Sequence, residues 1–147
     1  MSNQESQTEP RKPLQELRDL QQAIYTTARQ KGWWEPAKWL SHPHILQAMK
    51  NLPDDLRQEM ERSAQRPVSE TIALMHSELS EALEGARHHN PPDDKIPEFT
   101  AIEAELADVI IRVLDAAEHY GYRVIDALIA KAAYNSTRAH RHGGKAF

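Results

Sequence analysis

Cysteine is absent from the 147-residue chain, which excludes disulfides and thiolate metal sites and leaves carboxylate and imidazole to hold any metal. Long apolar runs are missing as well. Stretches such as Val109-Ile110-Ile111 are cut by charge far short of the roughly 20 residues that a bilayer-crossing helix needs. The polar start from Met1 to Pro13 lacks the apolar centre of a signal peptide. The expectation is therefore a cytoplasmic protein with no membrane partner. Basic residues are not in excess either: 18 Lys and Arg stand against 22 Asp and Glu, a net charge of -4. A general binder of nucleic acid polymers would need a basic face to displace counterions, so that class is set aside. The basic residues Arg138, His140, Arg141, His142 and Lys145 nevertheless crowd the end of the chain and leave room for a local anion site.

What is present fits one soluble, helix-rich domain: 39% hydrophobic residues, 27% charged residues and a mean hydropathy of -0.72. Met1 to Pro13 reads as a flexible tail, and residues 14–147 as a single all-α domain. Leu14, Leu17, Leu20 or Gln21, and Ile24 recur at helical spacing in a first helix that ends near Gly32. All three tryptophans, Trp33, Trp34 and Trp39, follow within seven positions. Each is either a core anchor or part of a wall that stacks on a planar ligand; at least one belongs to the core. Pro43, Pro53 and Pro67 punctuate the next stretch, where Asp54 to Gln65 reads as a charged helix and His42 and His44 as surface residues.

Two longer helices are expected over about Val68 to His88 and Ala101 to Tyr120, separated by a proline-marked loop. Thr100 and Glu103 form a capping box at the start of the second, and Gly121 stops it. The expected core stripes are Ile72, Leu79, Leu83 and Ala86 on the first, and Ile102, Leu106, Val109, Ile110, Val113 and Ala117 on the second. A last helix from about Tyr122 to His140 would bury Ile125, Leu128, Ile129 and Ala132.

The same device occurs twice on the two longer helices. Glu78-Leu79-Ser80-Glu81 and Glu105-Leu106-Ala107-Asp108 each put two acids three apart, where they face the same way and repel. The first acid of each pair falls about 100° off the expected core stripe and the second about 60° further round. One such pair is common on solvated helices. Two on consecutive helices, with 23 residues (82 to 104) between them, point to hard oxygen ligands for Mg²⁺, with Mn²⁺ also suitable. Lys131, Asn135 and Arg138 form an i, i+4, i+7 row on the last helix, suited to phosphate oxygens. Plain salt bridging between helices is the bland alternative, worth only about 0–1 kcal/mol per exposed pair.

The run from Val68 to Phe147 resembles the MazG-like all-α nucleoside triphosphate pyrophosphohydrolases, whose mark is E-x-x-E, a spacer, then E-x-x-D: here Glu78, Glu81, Glu105 and Asp108. The run from Lys131 through Asn135 and Arg138 to His142-Gly143-Gly144-Lys145 resembles the phosphate-contacting end of that family, and Lys31-Gly32-Trp33-Trp34 a tryptophan pair ahead of its acid helix. The resemblance implies a four-helix-bundle-type core, a homodimer or homotetramer, and Mg²⁺ held by the four acids. It implies phosphate contacts from Lys131, Asn135, Arg138 and Lys145, and base contacts from Trp33 and Trp34. The implied reaction is hydrolysis of a ribo- or deoxynucleoside triphosphate between the α- and β-phosphates, to monophosphate and pyrophosphate. The lack of a G-x-x-x-x-G-K-[ST] loop is consistent with that design. Two alternatives remain: a phosphoribosyl-ATP pyrophosphatase-type enzyme, and a non-catalytic nucleotide-binding bundle.

Overall fold

The computed structural model describes residues 12–139. These form helices α1 (Lys12–Gln30), α2 (Pro43–Met49), α3 (Asp54–Ser63), α4 (Val68–Arg87), α5 (Ala101–Tyr120) and α6 (Val124–Ser136), with a 3₁₀ turn at Lys38–Ser41. The all-α expectation holds, and the one β feature among the described residues is an isolated bridge from Pro92 to Thr100. Residues 1–11, most of the expected tail, and residues 140–147, including Lys145, lie outside the described residues.

The α4–α5 hairpin is built by its ends. Thr100 and Glu103 make the capping box, with the Thr100 amide donating to Glu103 Oε2 at 2.8 Å, and Gly121 closes α5 in the left-handed region at φ 71. Asn90 ties the two helices together. Its amide donates to the Gly85 carbonyl at 2.8 Å, while its Oδ1 accepts from the Ile102 amide at 2.9 Å. Gly85 lies near Ala101, Glu78 meets Arg112, and Thr71 Oγ1 lies 3.0 Å from the Tyr120 hydroxyl. Descending α4 thus ascends α5, and the hairpin is antiparallel.

Helix α5 is the centre of the fold, packed by α4 on one side and α1 on another. Gln21 donates to Glu118 at 2.6 Å across the α1–α5 contact. Helix α6 docks on α1, where Arg18 pairs with Asp126 at 2.6 Å.

Of the expected stripe residues only Ala117 on α5 and Ile125 on α6 are buried, and the rest of the buried set differs. On α4 the buried residues are Thr71, Glu78, Ala82 and Gly85, whereas Ile72, Leu79, Leu83 and Ala86 are exposed. On α5 they are Ala104, Leu114, Ala116 and Ala117, with Leu106 and Ile110 exposed. On α6 only Ile125 is buried, and Leu128 is 59% exposed. The reason is the small residues. A Cβ added at Gly85 would stand 3.2 Å from the Ala101 Cβ, so the α4–α5 seam is a close approach that branched side chains would wedge apart. On α4 the larger apolar side chains Ile72, Leu79 and Leu83 each stand one residue, about 100°, round from the buried stripe.

Candidate functional site

The shift of the buried stripe puts Glu78 in the α4–α5 seam rather than on its shoulder, and it is only 5% exposed. From α5, Glu105, Asp108 and Arg112 follow at i, i+3 and i+7, one face of a helix. Carboxylate oxygens of Glu78, Glu105 and Asp108 all lie within 4.8 Å of one another. Glu81 stands outside this triad on the exposed side of α4, yet near enough that its charge acts on Glu105. Sequence spacing thus brings three of the four acids together and leaves the fourth at the rim.

Arg112 Nε donates to Glu78 Oε1 at 2.5 Å, and its Nη2 pairs with the same oxygen. A buried carboxylate without such a partner would be costly. Glu81, Glu105 and Asp108 form no salt bridge among the described residues, where Arg112 pairs with Glu78. Burial above all, followed by the Glu81 charge, the hydrogen bond and charge of Glu78, and the Asp108 charge, raises the Glu105 carboxyl above its usual range. An all-oxygen donor set with surplus negative charge fits a hard divalent cation in the position these oxygens surround.

Beside the acids, α1, α5 and the Lys31–Trp33 turn enclose a cavity of about 460 Å³, reached by Asp108 and Arg112 at one end and by Asp115 two turns further along α5. Trp33 forms a wall, 51% exposed. The guanidinium carbons of Arg66 and Arg112 each lie 5.9 Å from a Trp33 ring centroid, within cation–π range. Trp34 does not line the cavity. Its Nε1 donates to Asp115 Oδ1 at 2.8 Å, its ring stacks on His119 with centroids 3.7 Å apart, and it meets Tyr120 edge-on. Of the expected base-binding pair, Trp33 faces the cavity and Trp34 is packing. Burial raises the Asp115 carboxyl, opposed by the Trp34 bond and the charges of Arg66 and Arg112. Burial, then Arg29 and Arg66, lower His119, which therefore favours its neutral form.

Lys131 and Asn135 are exposed on α6, whereas Arg138, also exposed, lies past its end because the helix stops at Ser136 rather than near His140; none of the three lines the cavity. Lys131 Nζ lies 5.4 Å and the Arg138 guanidinium 5.9 Å from the Tyr134 ring centroid, so within one chain this row is not joined to the acids. Arg66, Arg112 and Asp115 are the residues that sequence reasoning missed. For two of them a signal existed: Arg112 and Asp115 sit four and seven residues after Asp108 on the same face, polar residues interrupting an apolar run. Comparison with protein-family models, with curated proteins and with solved structures returns no significant match.

Proposed function

We propose that the chain hydrolyses ribo- or deoxynucleoside triphosphates to monophosphate and pyrophosphate. The observation that carries this reading is the acid triad opening, through Asp108, into a cavity with a tryptophan wall and two arginines. Glu78, Glu105 and Asp108 would hold Mg²⁺ or Mn²⁺, with Glu81 at the rim, and the ion would neutralise the triphosphate and acidify a water. Water adds to the α-phosphorus, the bond to the β-phosphate oxygen breaks, and pyrophosphate leaves. Glu81, outside the triad, is the carboxylate left to orient the water and take its proton. Trp33 would stack on the base, a contact worth about 1–3 kcal/mol, and Arg112 and Arg66 would donate to the nucleotide.

The four-helix core and the homo-oligomer belong to the same proposal. Ile72, Leu79, Leu83, Leu106, Ile110 and Leu128 are large, apolar and exposed on α4, α5 and α6, a flank that a second copy would cover. Such an assembly offers a route for the Lys131, Asn135 and Arg138 row to reach the phosphates of a partner's site. A cytoplasmic location is part of the same proposal. The Arg112–Glu78 pair supports a second reading, a bundle that balances its buried acid internally and binds nucleotide without turnover.

The deciding experiment is product identity with a panel of ribo- and deoxynucleoside triphosphates, with and without Mg²⁺, scoring pyrophosphate against orthophosphate. Mg²⁺-dependent pyrophosphate release supports hydrolysis. Asp108→Asn should lower that rate at least a hundredfold while leaving the melting temperature unchanged or higher, since like-charge crowding is relieved. Binding without turnover in the unsubstituted chain would favour the second reading.

A further inference from the structure

The base-recognition end of the cavity contains more than an aromatic wall. Asp115 reaches it from α5, two helical turns beyond Asp108 on the same face. At 1.5 Å per residue the two carboxylates are about 10 Å apart along the axis. That spacing is about the length of a nucleoside, so a nucleotide with its phosphates beside Asp108 would bring the base edge to Asp115.

The Asp115 carboxylate is held in place. Oδ1 accepts the Trp34 indole proton at 2.8 Å, and Trp34 is itself clamped between His119, Tyr120 and Arg66. The one side-chain hydrogen bond that Asp115 makes among the described residues is on Oδ1, which leaves Oδ2 open. A carboxylate with about four lone-pair sites and one of them used keeps acceptors on both oxygens. Arg66 and Arg112 line the same cavity; Arg66 Nε is paired with Glu70 at 3.1 Å and Arg112 Nε and Nη2 with Glu78, which leaves the two Arg66 Nη groups and Arg112 Nη1 as donors. The site therefore presents a fixed acceptor pair and nearby cationic donors around a stacking face.

Resting on the nucleotide reading above, we propose that Asp115 makes this a guanine pocket. The ionised carboxylate would accept from guanine N1–H and N2–H₂ while an arginine donates to O6, with Trp33 stacked on the ring. Guanine is the common base whose pairing edge sets two donors side by side, matching both oxygens of one carboxylate. Adenine and cytosine offer one donor next to a ring-nitrogen acceptor, which the carboxylate repels. Thymine and uracil flank their single donor with two carbonyl oxygens and fit worst. A site whose polar groups are built to pair with a base rejects one that leaves them unpaired.

The test uses the full chain, with two readouts. One is kcat/KM for the four common deoxynucleoside triphosphates plus the deoxyinosine and deoxyxanthosine analogues. The other is quenching of the chain's tryptophan fluorescence by the corresponding monophosphates without metal, with Trp33→Phe as the control that assigns the signal, which needs no turnover. The unsubstituted protein should prefer guanine over thymine at least a hundredfold, and inosine, lacking the 2-amino group, should lose tenfold or more against guanine. In Asp115→Asn the amide oxygen can keep the Trp34 bond and turn Nδ2 to the cavity. That variant should lose guanine tenfold or more and gain xanthine, whose 2-oxo group accepts. Guanine-selective quenching without hydrolysis would uphold the pocket and sink the hydrolase reading. Pyrophosphate release with no preference for guanine, or an equal loss on every base in Asp115→Asn, would overturn the pocket and leave hydrolysis standing. The inosine comparison decides the matter even if Asp115→Asn does not fold.

Discussion

Replacing Arg112 by methionine keeps the aliphatic volume of the side chain and removes the only cation that is paired with Glu78 among the described residues. Glu78 is 5% exposed, so it cannot recover its loss by turning to water. Breaking a buried pair by removing one partner costs about 3–5 kcal/mol. Arg112 is 29% exposed in its side chain, so water reaches one edge of the pair and the lower end, about 3 kcal/mol, applies. For a chain of this size each kcal/mol moves the melting temperature by about 2–4 °C, which gives a drop of about 6–12 °C in metal-free buffer. Thermal unfolding followed by circular dichroism reads this directly. Adding Mg²⁺ should return most of the loss to Arg112→Met, because a cation bound by the native acids stabilises the fold by mass action. The double variant Arg112→Met with Glu78→Gln should recover stability without metal, since no uncompensated charge is left. Equal metal-free melting of Arg112→Met and the unsubstituted protein would refute the claim that this pair neutralises the seam.

The raised Glu105 carboxyl sets a pH dependence: its folded pKa lies above the unfolded value, so its contribution is present below the unfolded pKa and is lost as pH rises through the folded one. Metal-free Glu105→Gln should therefore melt higher at neutral pH and show a flatter fall between acid and neutral pH, and an unchanged slope would count against acid crowding. Trp33→Ala should raise the nucleotide KM by about 5- to 150-fold, the equivalent of about 1–3 kcal/mol of stacking, with little change in melting temperature. Trp34→Ala should above all lose stability, about 3–5 kcal/mol, because its ring packs on His119 and Tyr120, with any KM effect following from release of Asp115; a KM effect without destabilisation would reverse the two roles. Ile110→Glu, on the exposed flank of α5, should lower the mass measured by light scattering if a second copy covers that flank, and an unchanged oligomer would exclude the face.

Much of the secondary structure was legible because its signals are local. The Thr100–Glu103 box, the Gly121 stop and Pro67 ahead of Val68 mark helix ends through hydrogen bonds and dihedral limits reaching only a few residues, and α4 and α5 begin and end where those signals stand. The acid spacing was legible for the same reason, since three residues on a helix always share a face. Which face turns inward was not. Both flanks of α4 carry apolar residues, and periodicity weighted by size selects Ile72, Leu79 and Leu83, while the close seam selects Thr71, Ala82 and Gly85. That choice depends on how near α5 can come, a property of two helices together, and it carries Glu78 from the shoulder into the seam. The roles of Arg112, Arg66 and Asp115 were likewise decided by tertiary structure. A charge takes its meaning from what lies across the gap: Glu78 for Arg112, the tryptophan rings for Arg66, and the Trp34 indole for Asp115.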